Sequence, residues 1–302
     1  MVSPVRIRFA AGFTLVEAIM VIVITGILAG MVAVFIKAPV DSYFDTARRA
    51  ALTDVADTAV RRMSRDIRLS LPNSVRNSVS DGTASCIEFM PTRIGGRYRA
   101  KASPGGLGNI LDFTAIDDSF DMLWPNTALP AANQINAGDI IVVYNDGSAT
   151  GNAYTGVNAI RVQGIGTDAA TGTPITFVAA GAGVFDGKKF PNESPSNRFQ
   201  VIPATEHVVA YSCVGASPNI VLGRYVRTLT AEWNQPPDCA AMVDGATRAV
   251  LAENLSTCSL KYEPPGSGTG AGRYGIVSIS LQMTQAGESV RLYHQVHVDN
   301  TP

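Results

Sequence analysis

The chain has 302 residues and a formal net charge of −1, and 46% of its residues are hydrophobic. This length and composition can supply one sizeable core together with a long apolar helix. The near-zero net charge lacks the bias that favours a nucleic-acid partner. Charged residues make up only 16% of the chain and there are 28 glycines, which indicates an extracytoplasmic domain rich in strands and turns.

An apolar run covers residues 13–36, and Glu17 is its only charged side chain. A helix of this length, at ~1.5 Å per residue, spans a ~30 Å hydrocarbon layer. A carboxylate inside such a layer costs ~2.5–3.5 kcal/mol or more. Glu17 is therefore predicted to have a function and a partner, which need not lie in the same chain.

A short basic segment, residues 1–12, precedes the run and contains Arg6 and Arg8. Positive charge before the first span keeps that end cytoplasmic and directs the following chain outward. Two alternatives stay open. A cleaved secretory signal peptide would have a shorter apolar core, although small residues around Gly30 imitate its cleavage site. A plain signal anchor has a suitable length but gives Glu17 no role.

The segment Gly12-Phe13-Thr14-Leu15-Val16-Glu17, the basic leader and the long apolar helix resemble the N-terminus of type IV prepilins and type II secretion pseudopilins. The resemblance implies cleavage after Gly12 by a membrane prepilin peptidase and N-methylation of the new terminus at Phe13. It also implies that Glu17 pairs with the Phe13 amine of a neighbouring subunit. Opposite charges buried in an apolar bundle cost far less paired than alone, so this pairing would fix subunit register.

Other segments are similar to the MSHA biogenesis protein MshO family of minor pilin-like proteins, which are encoded with mannose-sensitive haemagglutinin-type pili. These segments are residues 52–57, 61–68, 71–76, 86–91 and 292–298. The likeness implies a subunit that is not an enzyme and needs no cofactor. Its implied partners are the prepilin peptidase, the major and other minor pilins, and the inner-membrane pilus assembly platform. It implies an inner-membrane precursor with a periplasmic head that later joins the pilus. A minor pseudopilin of type II secretion is the alternative.

Residues 37–71 are predicted to continue the helix into the head, with a kink at Pro39. Apolar residues recur there at helical spacing, which predicts a stripe that docks on the chain's own sheet. The stripe consists of Phe44, Ala51, Leu52, Val55, Ala59, Met63 and Ile67. Opposite charges four residues apart are expected to pair on the outer face, namely Asp45/Arg49, Asp57/Arg61 and Arg62/Asp66.

Two further features of the helix could serve contacts between subunits. Gly26 and Gly30 form a small-xxx-small pair, which favours close helix packing, although glycine is also common in membrane helices without such contacts. A basic cluster could meet acidic neighbours in a filament or could simply be solvated. It consists of Arg61, Arg62, Arg65 and Arg68.

Residues 72–302 are predicted to form a periplasmic head of strands and loops. Expected strands lie at 86–90, 139–145, 159–163, 175–179, 199–202, 207–213, 220–229, 259–262, 276–284 and 290–297, and loops at 95–108, 149–156, 164–173 and 264–272. The last two strands alternate apolar and polar residues around the turn at residues 286–288, which predicts a hairpin. The region from about 95 to 200 is interpreted as an insertion. The predicted fold is α+β, a pilin-like lollipop with the long helix packed on a mainly antiparallel sheet.

Four cysteines, Cys86, Cys213, Cys239 and Cys258, follow the membrane segment. An even count in an oxidising compartment predicts two disulfides, with three possible connectivities. Cys213–Cys239 with Cys86–Cys258 is the favoured pairing, and buried free thiols are the alternative.

Motifs for catalysis are absent: the chain has no Gly-x-Ser-x-Gly, phosphate-binding loop or His-Glu-x-x-His sequence. His294 and His297 are three apart on a predicted strand, so they should face opposite sides and not share a metal. An acidic cluster at Asp112, Asp117, Asp118 and Asp121 could hold calcium but lacks regular ligand spacing. A membrane-anchored binding module is the other functional class, because Trp124, Trp233, Tyr154 and Tyr225 could line a sugar site or could be core residues.

Overall fold

The computed structural model describes residues 12–77, 86–233, 238–266 and 274–302. The predicted leader, except Gly12, and residues 267–272 of a predicted loop lie outside these ranges. Within them the predicted α+β class is confirmed, since a long N-terminal helix is followed by antiparallel sheets.

The described helices are α1 (Leu15–Arg68) and the short α2 (Cys239–Val243), with 3-10 turns at Asn126–Ala128, Ala131–Asn133 and Ala153–Thr155. The described strands are β1 (Arg76–Asn77), β2 (Cys86–Phe89), β3 (Ile94–Arg97), β4 (Ser119–Met122), β5 (Ile140–Val142), β6 (Ala159–Ile165), β7 (Thr173–Phe177), β8 (Arg198–Ile202), β9 (Val208–Val214), β10 (Ile220–Arg227), β11 (Thr247–Glu263), β12 (Gly275–Gln285) and β13 (Glu288–Val298).

Helix α1 runs without interruption through Pro39, so the predicted membrane and amphipathic parts form one helix. The chain divides into two compact units, of which the first ends at Ala51 and the second begins at Leu52. In the first unit the apolar side chains of α1 are exposed along its length.

In the second unit, α1 buries one face against a seven-stranded sheet. The buried helix residues are Leu52, Ala56, Ala59, Val60, Met63 and Ile67. The predicted stripe is therefore wrong at Phe44, Ala51 and Val55, which are exposed. Apolar residues spaced three or four apart can lie on more than one face of this helix. The apolar pattern alone therefore does not show whether Val55 or its neighbour Ala56 faces the sheet.

The predicted ion pairs on α1 have mixed outcomes. Arg61 pairs with Asp57 at 2.6 Å, as expected. Asp66, predicted to pair with Arg62, lies on the sheet side of the helix and pairs with Arg224 of β10 at 2.9 Å. The partner of Asp66 is thus decided by its position next to the sheet, and not by the four-residue spacing from Arg62.

The seven-stranded sheet has the order β1-β2-β9-β10-β11-β12-β13, with every neighbouring pair antiparallel. The predicted β12–β13 hairpin is confirmed, with Gln285 opposite Glu288. Ala286 and Gly287 form its turn at φ of 48° and 86°, the left-handed conformation that suits a two-residue hairpin. Strand β11 begins at Thr247, well before the predicted start at residue 259. The prediction missed the first half of the strand because its exposed residues do not alternate between apolar and polar.

The remaining strands form a second sheet of order β3-β8-β5-β6-β7-β4, again antiparallel throughout. Its two end strands meet: Tyr98 bridges Met122, and the Leu123 N–H donates to the Arg97 carbonyl at 3.0 Å. The sheet therefore closes into a six-stranded barrel. Its interior is rich in aromatic rings, including Phe120, Phe177 and Phe199.

The barrel occupies residues 94–202, between β2 and β9, which pair directly with each other. The chain thus leaves the seven-stranded sheet and returns to the adjacent position, as expected of an insertion. Apolar residues on the outside of the barrel, such as Ile140 and Ile202, share a cluster with Leu71, Met90 and Val208. The loop predicted at 95–108 is wrong at its start, because Gly95 and Gly96 lie within β3.

Two disulfides are present, Cys86–Cys239 and Cys213–Cys258. The favoured pairing of Cys213 with Cys239 and Cys86 with Cys258 is therefore wrong. Cys86 lies on β2 and is bonded to Cys239, the first residue of α2. Cys213 lies on β9 and is bonded to Cys258 on β11. Cys258 lies past Leu255, the β11 residue that pairs with the first residue of β10. Both bridges join residues far apart in the chain, so sequence separation does not reveal them.

Val60 and Val55 offer a matched test of the docking face, since the first is 5% exposed and the second 40% exposed. We predict that Val60→Ala lowers the free energy of unfolding by about 2 kcal/mol, because it removes two buried methyl groups and leaves a cavity. Val55→Ala should change it by less than about 0.5 kcal/mol. Urea unfolding of the full chain in detergent measures both, and equal effects would contradict the docking face.

Candidate functional site

Thr14 caps α1 beside the predicted processing site. Its carbonyl accepts the Ala18 N–H at 3.1 Å, and its Oγ1 accepts the Glu17 N–H at 3.3 Å. Threonine followed three residues later by glutamate is the sequence of a capping box, and an acidic side chain in the first turn favours the helix dipole. Glu17 therefore lies at the third helical position of a capping-box sequence, as the Thr-x-x-Glu spacing could have indicated.

The predicted contact residues of α1 face outward. Phe13 is 74% exposed, and among the described residues no cation lies within ion-pair distance of the Glu17 carboxylate. A Cβ placed on Gly26 or Gly30 would meet no atom within 4 Å, so the surface around both glycines is open. Within the described residues, Glu17 thus has no ion-pair partner and the two glycines have no packing partner. The pairing of Glu17 with Phe13 and the close helix packing at Gly26 and Gly30 stay predictions.

In the described part of the chain, α1 is the helix long and apolar enough to cross a membrane. None of its most apolar window is buried by the protein itself. A core helix of similar composition would be mostly buried, so this half of α1 needs an apolar environment from outside the chain.

A charged network joins α1 to the seven-stranded sheet. The Asp66 carboxylate accepts the Tyr211 hydroxyl at 2.7 Å and Arg224 Nε at 2.9 Å, and Arg224 also pairs with Glu206 at 2.7 Å. Burial, and then the neighbouring Asp66, raise the pKa of Tyr211. Burial alone would lower the pKa of Arg224, but hydrogen bonds and charges from Glu206 and Asp66 raise it. Both groups keep their protonated forms, so the network holds the helix in place.

A second network surrounds Glu88, which is fully buried on β2. Its carboxylate accepts Arg76 Nε at 2.5 Å and the Trp233 indole N–H at 3.1 Å, and the Arg76 guanidinium lies 3.6 Å above the Tyr154 ring. Burial raises the pKa of Glu88, and the charge of Arg76 opposes the rise. Glu88 has no exposed surface for a substrate, so the cluster joins the strands to the barrel rather than forming a reaction site.

The four aromatic residues considered for a sugar site do not come together. Tyr154 and Tyr225 are buried, and Trp233 donates to Glu88 as described. Trp124 alone of the four is strongly exposed, and it lies at a concavity on the barrel surface.

The acidic cluster is distributed over separate contacts. Asp112 accepts the Thr114 N–H and hydroxyl, Asp117 accepts the Asp112 N–H, and Asp121 pairs with Arg99 at 3.6 Å. Within the described residues, no three histidine, cysteine or acidic side chains gather in a way that could hold a metal ion. His294 and His297 lie on opposite faces of β13, as their spacing predicted.

The basic cluster lines a groove of about 550 Å³ beside β13. Arg61, Arg65 and Arg68 contribute to the groove together with His294. Arg61 is already paired with Asp57, and contact between this groove and acidic neighbours stays a prediction.

Comparison with known families places the start of α1 in a recognised sequence class. The model of the prokaryotic N-terminal methylation motif matches residues 7–33. The chain carries a type IV pilin-like prepilin signal. This signal covers Gly12, Phe13 and Glu17 and implies processing by a prepilin peptidase and assembly with other pilins. The comparisons with curated proteins and with solved structures find no match.

His207 provides a pH test of the junction between barrel and sheet. Its Nδ1 accepts the Leu229 N–H at 2.8 Å, and burial, assisted by the charge of Arg161, lowers its pKa from 6.5 to about 4. As the pH falls from about 6.5 to about 4, the unfolded chain binds a proton that the native state rejects, so stability falls. We predict that His207→Asn, which retains an acceptor but does not titrate, makes this loss smaller.

Urea unfolding of the full chain at several pH values between 4 and 7 measures the effect. His297→Asn is the matched control, because His297 lies on the exposed face of β13. If both variants retain the slope of the unmodified protein, His207 is not the source of the pH dependence.

Proposed function

We propose that this protein is a minor pilin of an MSHA-like type IV pilus, processed between Gly12 and Phe13 and active in pilus assembly, priming or tip formation. The observation that carries the proposal is the coincidence of two independent features. The prepilin signal covers residues 7–33, and the same stretch of α1 has no burial within its own chain. A filament built from such helices supplies the missing apolar surroundings: lipid before assembly and neighbouring helices afterwards.

Within that filament, Glu17 pairs with the methylated Phe13 amine of the adjacent subunit. A lone carboxylate among apolar side chains is costly, and so is a lone ammonium, whereas the two together satisfy each other. A subunit inserted out of register leaves both unpaired. The pair therefore selects one axial position for each incoming subunit.

The size of the head supports a role at the start or tip of the pilus. The barrel adds residues 94–202 to the sheet on which α1 docks. Subunits along a shaft must be enclosed by neighbours on several sides, whereas a subunit at the tip has a free face for an added barrel. The resemblance to MshO in residues 52–57, 61–68, 71–76 and 86–91 favours the MSHA-like system over type II secretion.

A minor pseudopilin of type II secretion is the second candidate, because the same signal serves both systems. The identity of the flanking genes separates them: pilus genes support the proposal, and secretion genes support the alternative. A membrane-anchored binding module would need neither Gly12 nor Glu17, so the Gly12→Val and Glu17→Ala variants below distinguish it from both.

We predict that Glu17→Ala leaves leader removal and head folding intact but lowers incorporation into filaments at least tenfold. Leaving one partner of a buried ion pair unpaired costs about 3–5 kcal/mol, which exceeds the 1.4 kcal/mol of a tenfold change. Immunoblots of sheared pili and of membranes measure incorporated and unincorporated protein.

Two further variants separate charge pairing from helix capping. Glu17→Gln keeps the size and capping ability of the side chain but lacks its charge, and Glu17→Asp keeps the charge. We expect Gln to fail as Ala does and Asp to retain partial incorporation. Full incorporation of the Gln variant would show that Glu17 acts as a cap and not as an ion-pair partner.

We predict that Gly12→Val blocks leader removal, because the peptidase requires a residue without side-chain bulk at the cleaved bond. A Cβ at Gly12 meets no atom of the described residues within 4 Å, so the substitution should not disturb the described fold. The mobility shift between precursor and mature protein on an immunoblot measures processing.

Gly26→Val is the matched control, since Gly26 also has open space around it but lies inside α1. It should be processed normally. A full yield of mature protein from Gly12→Val would contradict the proposed cleavage site.

A further inference from the structure

A concavity of about 390 Å³ lies on the outside of the barrel, where β3, β8 and the chain after β4 meet. Its lining residues are Gly95, Gly96, Arg97, Leu123, Trp124, Arg198, Phe199 and Gln200. Alternation along the strands separates the two faces: Phe199 is buried in the barrel interior, so Arg198 and Gln200 point outward. The concavity is distinct from the prepilin signal and from both charged networks.

Arg97 and Arg198 are direct cross-strand partners at this concavity. Like charges placed opposite each other on neighbouring strands destabilise a sheet. Other arginines of the barrel have carboxylate partners: Arg93 pairs with Asp139 at 2.7 Å and Arg161 with Asp186 at 2.9 Å. Among the described residues, neither Arg97 nor Arg198 has an acidic group within 4 Å. The surface of the concavity therefore carries two neighbouring positive charges, Arg97 and Arg198, that have no acidic partner among the described residues.

Trp124 extends this surface with an exposed aromatic ring. It is 60% exposed and the adjacent Leu123 is 47% exposed, whereas Phe120, Phe177 and Phe199 of the same barrel are buried. A tryptophan at the rim of a cavity offers a flat apolar face together with an N–H donor. This ring is free to stack on a ligand.

Gln200 also lines the concavity, although its amide oxygen lies beneath the surface. Its Oε1 is buried and has no hydrogen-bond partner in the protein, and such an atom normally finds a donor. Its cross-strand neighbour is Gly95, which has no side chain to fill the space above it. Gly96 is needed for another reason, because a Cβ there would come within 2.4 Å of the Phe199 ring.

We propose that this concavity binds an acidic saccharide, with a uronic acid as the recognised unit. Its carboxylate would lie between Arg97 and Arg198, and a ring face would stack on Trp124. Single-stranded nucleic acid also combines negative charge with stacking, but the chain's net charge of −1 lacks the basic bias typical of proteins that bind it. The charge balance favours the saccharide.

The test uses the full chain in detergent micelles and three probes: an oligogalacturonate, a neutral malto-oligosaccharide of equal length and a single-stranded oligonucleotide. Calorimetry and tryptophan fluorescence report binding. The unmodified protein should bind oligogalacturonate and not the neutral sugar. Arg97→Ala/Arg198→Ala should weaken that binding at least tenfold, since hydrogen bonds to charged groups contribute at least about that factor each. Trp124→Ala should weaken it several-fold.

Arg291→Ala is the matched control, because it removes an exposed arginine from β13, far along the sheet order from the barrel. It should bind like the unmodified protein, and circular dichroism should show the same fold for all variants. The proposal is overturned if the unmodified protein fails to bind oligogalacturonate at millimolar concentration or if Arg291→Ala weakens binding equally. Tighter binding of the oligonucleotide, lost in the Arg97 and Arg198 variant, would also overturn it. None of these outcomes affects the proposed role in pili.

Discussion

The apolar half of α1 is not buried by the rest of the chain, and this constraint determines how the protein can exist. A helix with this composition is unstable in water unless lipid or other helices cover it, since every exposed apolar side chain has an unfavourable contact with solvent. The prepilin signal at residues 7–33 indicates what covers the apolar half of α1: a membrane first and other pilins later. Glu17 is the only charged residue among residues 13–36, so its proposed pairing would decide where the helix can be placed.

From Leu52 onward, one face of the same helix is buried against the chain's own seven-stranded sheet and needs no cover from outside. The Asp66–Arg224 pair and the Tyr211 hydroxyl fix that face at a point where helix and sheet exchange charged hydrogen bonds. Breaking a buried pair of this kind costs more than either group alone suggests, since the remaining charge lacks a partner.

Several features followed directly from local patterns. The apolar run predicted α1, the alternation from residue 276 predicted the last hairpin, and the even cysteine count predicted two disulfides. Gly12, Phe13 and Glu17 are predicted to be functional because a candidate cleavage junction, an aromatic residue and a lone carboxylate fall within one short window. These are properties of neighbouring residues in the chain, which a sequence displays.

The features that sequence reasoning missed depend on contacts between distant residues. The disulfide partners lie far apart in the chain and meet only in the folded structure. Strand β3 contains Gly95 and Gly96, whose composition indicates a loop, but pairing with β8 makes it a strand. The Glu88 network also joins residues far apart in the chain, and no local pattern indicated it.

Mass spectrometry of the mature N-terminus tests the central claim most directly. Protein purified from the membranes of its native host should begin at Phe13 and carry one additional methyl group on its amine. That result would provide the ammonium which Glu17 requires in the next subunit. A chain that keeps residues 1–12, or one that begins beyond Gly30, would contradict the account, because neither species has the terminal amine in the place where the pairing needs it.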